Sequence, residues 1–393
     1  MIRWCAASVE YEADPRQAER LIAECGLEGS GALSTPGVKP TFQQLELDKE
    51  LPAHLWTAFR GAAARANYLA ADRLDGQFAC KEVCRWMSKP TEYAWQALKR
   101  IGRFLRGSPR LVYTYPQQTA NCVDVYTDTD WAGCPQTRKS TSGGCVLVGS
   151  HAIKHWSSTQ TSVALSSGEA EFAGVIRGAG QGLGYQALFR DLGVEAPLRV
   201  WTDSSAAIGI CSRQGLGKLR HLDTHPLWIQ QAVRLGRVDL RKVDGESNPA
   251  DILTKHSISR ERLDKLVKLH GCKYLEGRAA NAPKVRGGAS GRTTMAEHGS
   301  LNAIGSDAKD RKGSWTEKKV EESKVEEAEP LMPHLVFNGP ELEDRYPRLA
   351  APEDEHVVDP TIDASDLTLQ VGQRIAEEIR GTMRTEGRRR RVR

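Results

Sequence analysis

The stretch VDVYTDTDWAG, residues 123–133, constrains the fold more than any other part of the chain. Its apolar and polar residues alternate with the period of two that is typical of a β-strand. As a strand, it places Val123 and Val125 on one face and Asp124 and Asp128 on the other. Carboxylates in or beside an apolar core cost desolvation free energy. The segment therefore predicts a sheet strand whose acids need a charged partner.

Clustered carboxylates repel one another, and a bound divalent cation is the usual compensation. Three later segments, each at a junction between predicted elements, supply further acids: SSGEAEF with Glu169 and Glu171, RVWTDSS with Asp203, and NPADILTK with Asp251. Two choices stay open. Asp130 competes with Asp128 because both belong to the same strand face. Glu169 competes with Glu171 because both lie at the edges of the apolar stripe of the following helix.

The order of predicted elements indicates an α/β fold with a mixed sheet. Three strands come first, VDVYTD, GGCVLVGS and AIKHWSS, with RKSTSGG as the turn between the first two. A long helix over residues 168–191 follows, weakened by several glycines. The remaining elements are a strand at LRVWTD, helices at SSAAIGICSR and HLDTHPLWIQQAVRL, a strand at RVDLRKV, and a last helix from NPADILTKH to about residue 269. This order predicts a five-stranded mixed sheet flanked by helices.

The chain divides into three parts by composition and pattern. Residues 1–115 are predicted to be mostly helical, with a first helix that begins at Asp14 and Pro15. Residues 118–272 contain the predicted mixed sheet. Residues 273–393 are rich in glycine, alanine, proline and alternating charges and end in GRRRRVR, which predicts a mostly disordered tail with a basic end.

Composition limits the classes of partner. The formal charge of +5 is modest for a nucleic-acid binder, so attraction to phosphate is expected from local patches. Lys99, Arg103 and Arg106 form one such stripe, which is either a solvated face or a phosphate track. The nine cysteines show no zinc-binding spacing, and neither a membrane span nor a signal pattern is present. We expect an intracellular protein, cytoplasmic or nuclear, without a membrane partner.

Five motifs resemble, in order and spacing, the ribonuclease H domain that ends the Pol polyprotein of copia-type LTR retrotransposons. They are YTDTDWAG, RKSTSGG, VALSSGEAEF, VWTDSSAAI and NPADILTK, and they span about residues 118–272. YEADPRQAERLI, together with STPG, resembles the end of the reverse transcriptase of the same polyproteins, and the YxDD polymerase motif is absent. The resemblance implies a ribonuclease H-like fold in a polyprotein fragment without its own polymerase centre.

The resemblance also implies an activity, metal-dependent endonucleolytic cleavage of the RNA strand of RNA–DNA hybrids. Carried over motif by motif, the catalytic metal ligands fall on Asp128, Glu171, Asp203 and Asp251, which would hold two Mg²⁺ ions, with Mn²⁺ as the alternative ion. The implied partners are the hybrid, the nucleic-acid backbone and the upstream reverse transcriptase. Contacts to backbone phosphates are predicted for two segments: Arg138, Lys139 and Ser140, and Lys218, Arg220 and His221.

Local structure alone would explain some of these acids. Asp203 would favour a helix N-terminus, and Asp251 would complete a cap that begins with Asn248 and Pro249. Two other functions are also open. One is a non-catalytic, element-derived fragment that binds nucleic acid or acts as a scaffold. The other is an integrase-like nuclease of the same superfamily that acts on DNA, against which the RKSTSGG and ALSSGEAE motifs argue.

Overall fold

The computed structural model describes residues 1–119, 121–217, 219–222 and 225–284. From residue 285 onward the predicted tail lies outside the described residues. In the part that is described, no helix combines the length and the apolar character needed to cross a membrane.

The N-terminal part consists of helices that pack around a shared apolar core, together with three strands. In chain order the elements are β1 (Ile2–Trp4), β2 (Ser8–Glu12), α1 (Pro15–Glu24), α2 (Phe42–Glu46), α3 (Trp56–Leu69), α4 (Leu74–Cys84), α5 (Glu92–Gly107) and β3 (Arg110–Pro116). Asp14 caps α1 by accepting a hydrogen bond from the Arg16 backbone N–H, which confirms the predicted start of this helix. The first predicted helix is therefore present, whereas the three strands of this part were not predicted.

A five-stranded mixed sheet forms the centre of the second half, as the sequence predicted. Its strands are β4 (Val123–Asp130), β5 (Thr141–Val148), β6 (His151–Thr159), β7 (Leu198–Thr202) and β8 (Asp239–Lys242). They lie in the order β6-β5-β4-β7-β8. β4 pairs antiparallel with β5, and β5 with β6, whereas the β4–β7 and β7–β8 pairs are parallel. This arrangement confirms the predicted α/β fold with a five-stranded mixed sheet.

The longest helix of the described chain, α6 (Ser167–Asp191), lies directly on β4. Glycines permit this close approach: a Cβ atom at Gly178 would lie 2.4 Å from Thr127 Cγ2, and one at Gly182 would lie 2.4 Å from Leu198 Cδ1. The same glycines lower the intrinsic helix propensity. Their contribution is therefore to packing, which brings the N-terminal end of α6 against the sheet.

Two helices after β7 follow the prediction in part. The helix at SSAAIGICSR is present as α7 (Ser205–Ser212), and Ser204 caps it by accepting from the Ala207 backbone N–H. The helix predicted over HLDTHPLWIQQAVRL is shorter. Among the described residues it consists of a 3-10 turn, His225–Leu227, followed by α8 (Trp228–Arg234).

The predicted last helix was wrong as a single element. NPADILTK forms a separate 3-10 helix, Pro249–Leu253, and the α-helix, α9, spans Arg260–Leu269. Each has its own N-cap: Asn248 accepts from the Ala250 backbone N–H, and Ser259 accepts from that of Arg262. Asp251 therefore lies in the 3-10 helix and not in the first turn of the last helix.

A second sheet, which the sequence did not predict, joins distant parts of the chain. Its order is β1-β2-β3-β9, all antiparallel, with β9 at Cys272–Leu275. Beside it, the buried Arg73 guanidinium lies 2.7 Å from the Asp75 carboxylate, which also accepts a hydrogen bond from the Tyr274 hydroxyl. Strand pairing and this buried ion pair thus tie β9 to the N-terminal helices.

Candidate metal centre

The register of the central sheet brings two acids side by side. β4 and β7 are parallel neighbours in which Thr127 pairs with Thr202. The next residue of each segment is an aspartate, Asp128 within β4 and Asp203 directly after β7. Because parallel strands run in the same direction, both carboxylates lie at the same edge of the sheet.

Glu171 joins these aspartates from the start of α6. Ligand oxygens of Asp128, Glu171 and Asp203 all lie within 4.8 Å of one another. Asp128 and Glu171 are buried, and Asp203 is partly exposed. We call these three residues the acidic triad. It unites three of the four ligands that the resemblance implied.

Mutual repulsion and burial perturb the protonation of the acidic triad. Burial, followed by the charges of Asp128 and Asp203, raises the pKa of Glu171 to about 9. Burial and the charge of Asp128 also raise the pKa of Asp203. The local charge therefore favours a proton or a cation at this edge of the sheet.

The donor atoms fit a divalent cation. Glu171 Oε2 is buried and has no hydrogen-bond partner among the described residues. An unpartnered buried carboxylate oxygen is unfavourable unless a ligand completes it. Carboxylate oxygens are also the ligands that Mg²⁺ and Mn²⁺ prefer. The acidic triad is thus compatible with a divalent metal ion.

Comparison with known proteins relates the chain to transposon polyproteins. No protein-family model matches it. The retrovirus-related Pol polyprotein from transposon RE2 of Arabidopsis thaliana is 28% identical over 238 residues, which are 60% of this chain and 16% of that protein. The corresponding polyprotein from transposon RE1 is 31% identical over 202 residues, which are 51% of this chain and 14% of that protein. The chain is similar to a part of these transposon Pol polyproteins. It spans about a sixth of the length of these relatives.

Solved structures give a weaker comparison. The crystal structure of LC11-RNase H1 in complex with an RNA/DNA hybrid aligns with 33% of this chain and 92% of its own, at 15% identity and a TM-score of 0.24. The fold is defined by the strand order and parallel pairings of the central sheet.

Asp251, the fourth implied ligand, lies close to the acidic triad but outside it. Its Oδ2 is 2.9 Å from Arg262 Nη2, and its Oδ1 is 3.9 Å from Lys255 Nζ. Burial, followed by the charge of Asp128, raises the pKa of Asp251. The structure therefore pairs Asp251 with cations while leaving it within electrostatic range of Asp128.

Two residues of the NPADILTK motif contact the centre and were missed by the sequence analysis. Lys255 Nζ lies 3.0 Å from Asp128 Oδ2, although 43% of the lysine side chain is exposed. The Thr254 hydroxyl donates a hydrogen bond to the same Asp128 oxygen. The only sequence signal for Lys255 was its position four residues after Asp251, a predicted ligand in the same motif. Lys255 thus supplies positive charge to the acidic triad from within the chain.

The competing acids have other partners. Glu169 accepts a hydrogen bond from the Leu165 backbone N–H, and its Oε2 lies 3.0 Å from His221 Nε2. Asp130 lies outside the acidic triad, and burial raises its pKa. The geometry therefore groups Asp128 and Glu171, the alternatives that periodicity could not select.

The predicted phosphate contacts are distributed around the centre. Arg138 is exposed, with a φ of 56°, and Lys139 is partly exposed beside it. Ser140 is fully buried, and its hydroxyl accepts a hydrogen bond from the Ala132 backbone N–H, so it positions the turn. In the second segment Arg220 is exposed, His221 is held by Glu169, and Lys218 lies outside the described residues.

Proposed function

We propose that residues 118–272 form a metal-dependent ribonuclease H of a copia-type Pol polyprotein, which hydrolyses the RNA strand of RNA–DNA hybrids. The observation that carries the proposal is the acidic triad with the unpartnered Oε2 of Glu171. Homology to transposon Pol polyproteins supports the choice of reaction. The upstream reverse transcriptase of such a polyprotein would supply the hybrid.

The chain's own residues would have distinct roles. The acidic triad would hold two Mg²⁺ ions, and Asp251 would contribute once released from Arg262 and Lys255. Thr254 orients the Asp128 carboxylate through its hydrogen bond. Such ions supply an activated water and stabilise the leaving 3′ oxygen in an in-line displacement at phosphorus. Arg138 and Lys139 would contact backbone phosphates.

A gel assay with a 5′-labelled RNA–DNA hybrid and Mg²⁺ tests the proposal. Asp128→Asn and Asp203→Asn are each expected to abolish cleavage and to leave hybrid binding intact, because the amide keeps the size of the side chain but removes the ligand charge. Asp239→Asn is the matched control, since Asp239 is exposed on β8 and pairs with Arg241. Near-wild-type cleavage by either triad variant would refute the metal assignment. Cleavage of duplex DNA in place of the hybrid would favour the integrase-like alternative.

One observation favours the second candidate, a non-catalytic fragment that binds nucleic acid. The Lys255 ammonium already compensates the charge of Asp128 at 3.0 Å. A protein that has lost turnover could retain this internal ion pair as its charge compensation. Isothermal titration of the protein with MnCl₂ separates the two candidates: the nuclease requires saturable binding that Asp128→Asn removes, whereas the non-catalytic fragment shows no such binding.

A further inference from the structure

A large cavity lies between the N-terminal helices and the turn that follows β4. Its volume is about 880 Å³, and its walls come from residues 36–45, from α4 and α5, and from residues 130–138. Its lining includes Asp130, which is two residues after Asp128. It also includes His256, which directly follows Lys255. We call it the basic cavity. It therefore lies next to the acidic triad along two separate segments of the chain.

The walls of the basic cavity carry an excess of positive charge. Its acids are Glu82 and Asp130, and its cations are Lys39, Arg85, Lys99, Arg100, Arg103 and Arg138. Glu82 is already neutralised, because its carboxylate lies 3.0 Å from Arg85 and is also paired with Lys81. Apart from Arg85, none of these cations has a carboxylate within 4.0 Å among the residues that the structure describes. Such a set of uncompensated cations attracts a polyanion.

One of these cations, Arg100, makes fewer hydrogen bonds than its guanidinium can donate. Arg100 donates one hydrogen bond, from Nη2 to the Thr35 hydroxyl, whereas its Nε is buried without a partner in the described chain. Arg103 lies beside it and donates to the Gly31 carbonyl. A buried guanidinium N–H without an acceptor is rare in folded proteins. Arg100 is therefore a cation of the cavity wall whose hydrogen-bonding capacity the described chain leaves partly unfilled.

Aromatic rings accompany these cations. Phe42 on α2 is 81% exposed, and Trp131 is 47% exposed, with its indole N–H donating to the Ala164 carbonyl. Both residues line the basic cavity. Exposed aromatic rings beside a positively charged groove are the features that bind single-stranded nucleic acid, because bases stack on the rings while cations contact the backbone.

We propose that the basic cavity binds a single-stranded stretch of nucleic acid that continues from the acidic triad. The choice of nucleic acid as the polyanion rests on the proposed function. A single strand fits better than a duplex, because sites of about 300–1,000 Å³ accommodate small ligands or short segments. The basic cavity would then hold the nucleotides that adjoin the phosphodiester bond at the acidic triad.

Fluorescence anisotropy with labelled oligo-dT and oligo-rU in EDTA tests the proposal without any cleavage. Phe42→Ala is expected to weaken binding at least about fivefold through lost stacking. Lys39→Gln is expected to weaken it and to reduce the slope of log K against log salt by about 0.7. Tyr68→Ala and Lys154→Gln are matched controls, because both residues are exposed and lie outside the cavity. The two oligonucleotides separate a DNA strand from an RNA strand as the occupant.

The outcomes separate this inference from the proposed nuclease function. Wild-type affinity in both Phe42→Ala and Lys39→Gln, or no oligonucleotide binding by the wild-type chain, overturns the inference. Hybrid cleavage with unchanged binding by the cavity variants would retain the nuclease and reject the strand site. Cavity-dependent binding in a chain that does not cleave the hybrid would retain the strand site and reject the nuclease.

Discussion

Glu171 provides the sharpest test of the acidic triad, because its protonation links metal binding to stability. Its pKa rises from an ordinary value of 4.5 to about 9 through burial and the charges of Asp128 and Asp203. The folded protein therefore binds the Glu171 proton more tightly than the unfolded chain does. The resulting stabilisation is fully present below pH 4.5 and is lost as the pH rises towards 9.

The magnitude follows from the pKa difference. One pKa unit corresponds to about 1.4 kcal/mol, so relative to acid pH the metal-free protein loses about 3 kcal/mol of its free energy of unfolding at pH 7 and about 6 kcal/mol above pH 9. Glu171→Gln removes this ionisation. Relative to wild type, the metal-free variant is therefore expected to gain stability as the pH rises from 5 to 8, by about 1 kcal/mol per pH unit.

Urea unfolding followed by circular dichroism in EDTA, at pH 5, 6, 7 and 8, measures this difference. Asp239→Asn is the control for an exposed carboxylate that is lost without any effect on the triad. Added MgCl₂ is expected to stabilise the wild type most at pH 8 and to have little effect on Glu171→Gln. If wild type and Glu171→Gln show the same pH dependence in EDTA, Glu171 is not held in a repulsive acidic cluster and the electrostatic argument fails.

Other perturbations test the surrounding structure. Lys255→Met is expected to tighten Mn²⁺ binding several-fold in isothermal titration, because it removes a competing ammonium from the triad; unchanged or weaker binding would contradict this role. Asp75→Ala is expected to cost about 3–5 kcal/mol in urea unfolding, since it leaves the Arg73 guanidinium, whose side chain is only 3% exposed, without its carboxylate. Gly178→Val is expected to lower the free energy of urea unfolding by about 1–3 kcal/mol, because the added Cβ would collide with Thr127 on β4. Removing residues 280–393 is expected to leave the unfolding midpoint and hybrid cleavage unchanged, as their composition cannot offset chain entropy.

Tertiary structure decided features that no local pattern contains. The second sheet pairs β1 with β2, β2 with β3 and β3 with β9, in short strands that come from distant parts of the chain. Sequence periodicity predicted NPADILTK and α9 as one helix, because the spacing of apolar residues does not reveal the separate N-caps at Asn248 and Ser259. Lys255 contacts Asp128, which is distant in sequence, because the 3-10 helix that precedes Lys255 positions it there.

The sequence by itself determined the elements of the central sheet and the set of acids from which the candidate site is built. Alternation and composition report which residues face a core, and that information is local. Periodicity could not choose between Asp128 and Asp130 or between Glu169 and Glu171, and only the family resemblance favoured Asp128 and Glu171. Their proximity to each other depends on the parallel register of β4 with β7 and on the glycines that let α6 approach the sheet. Distances between side chains far apart in sequence are set by packing, so only the folded chain could bring these carboxylates together.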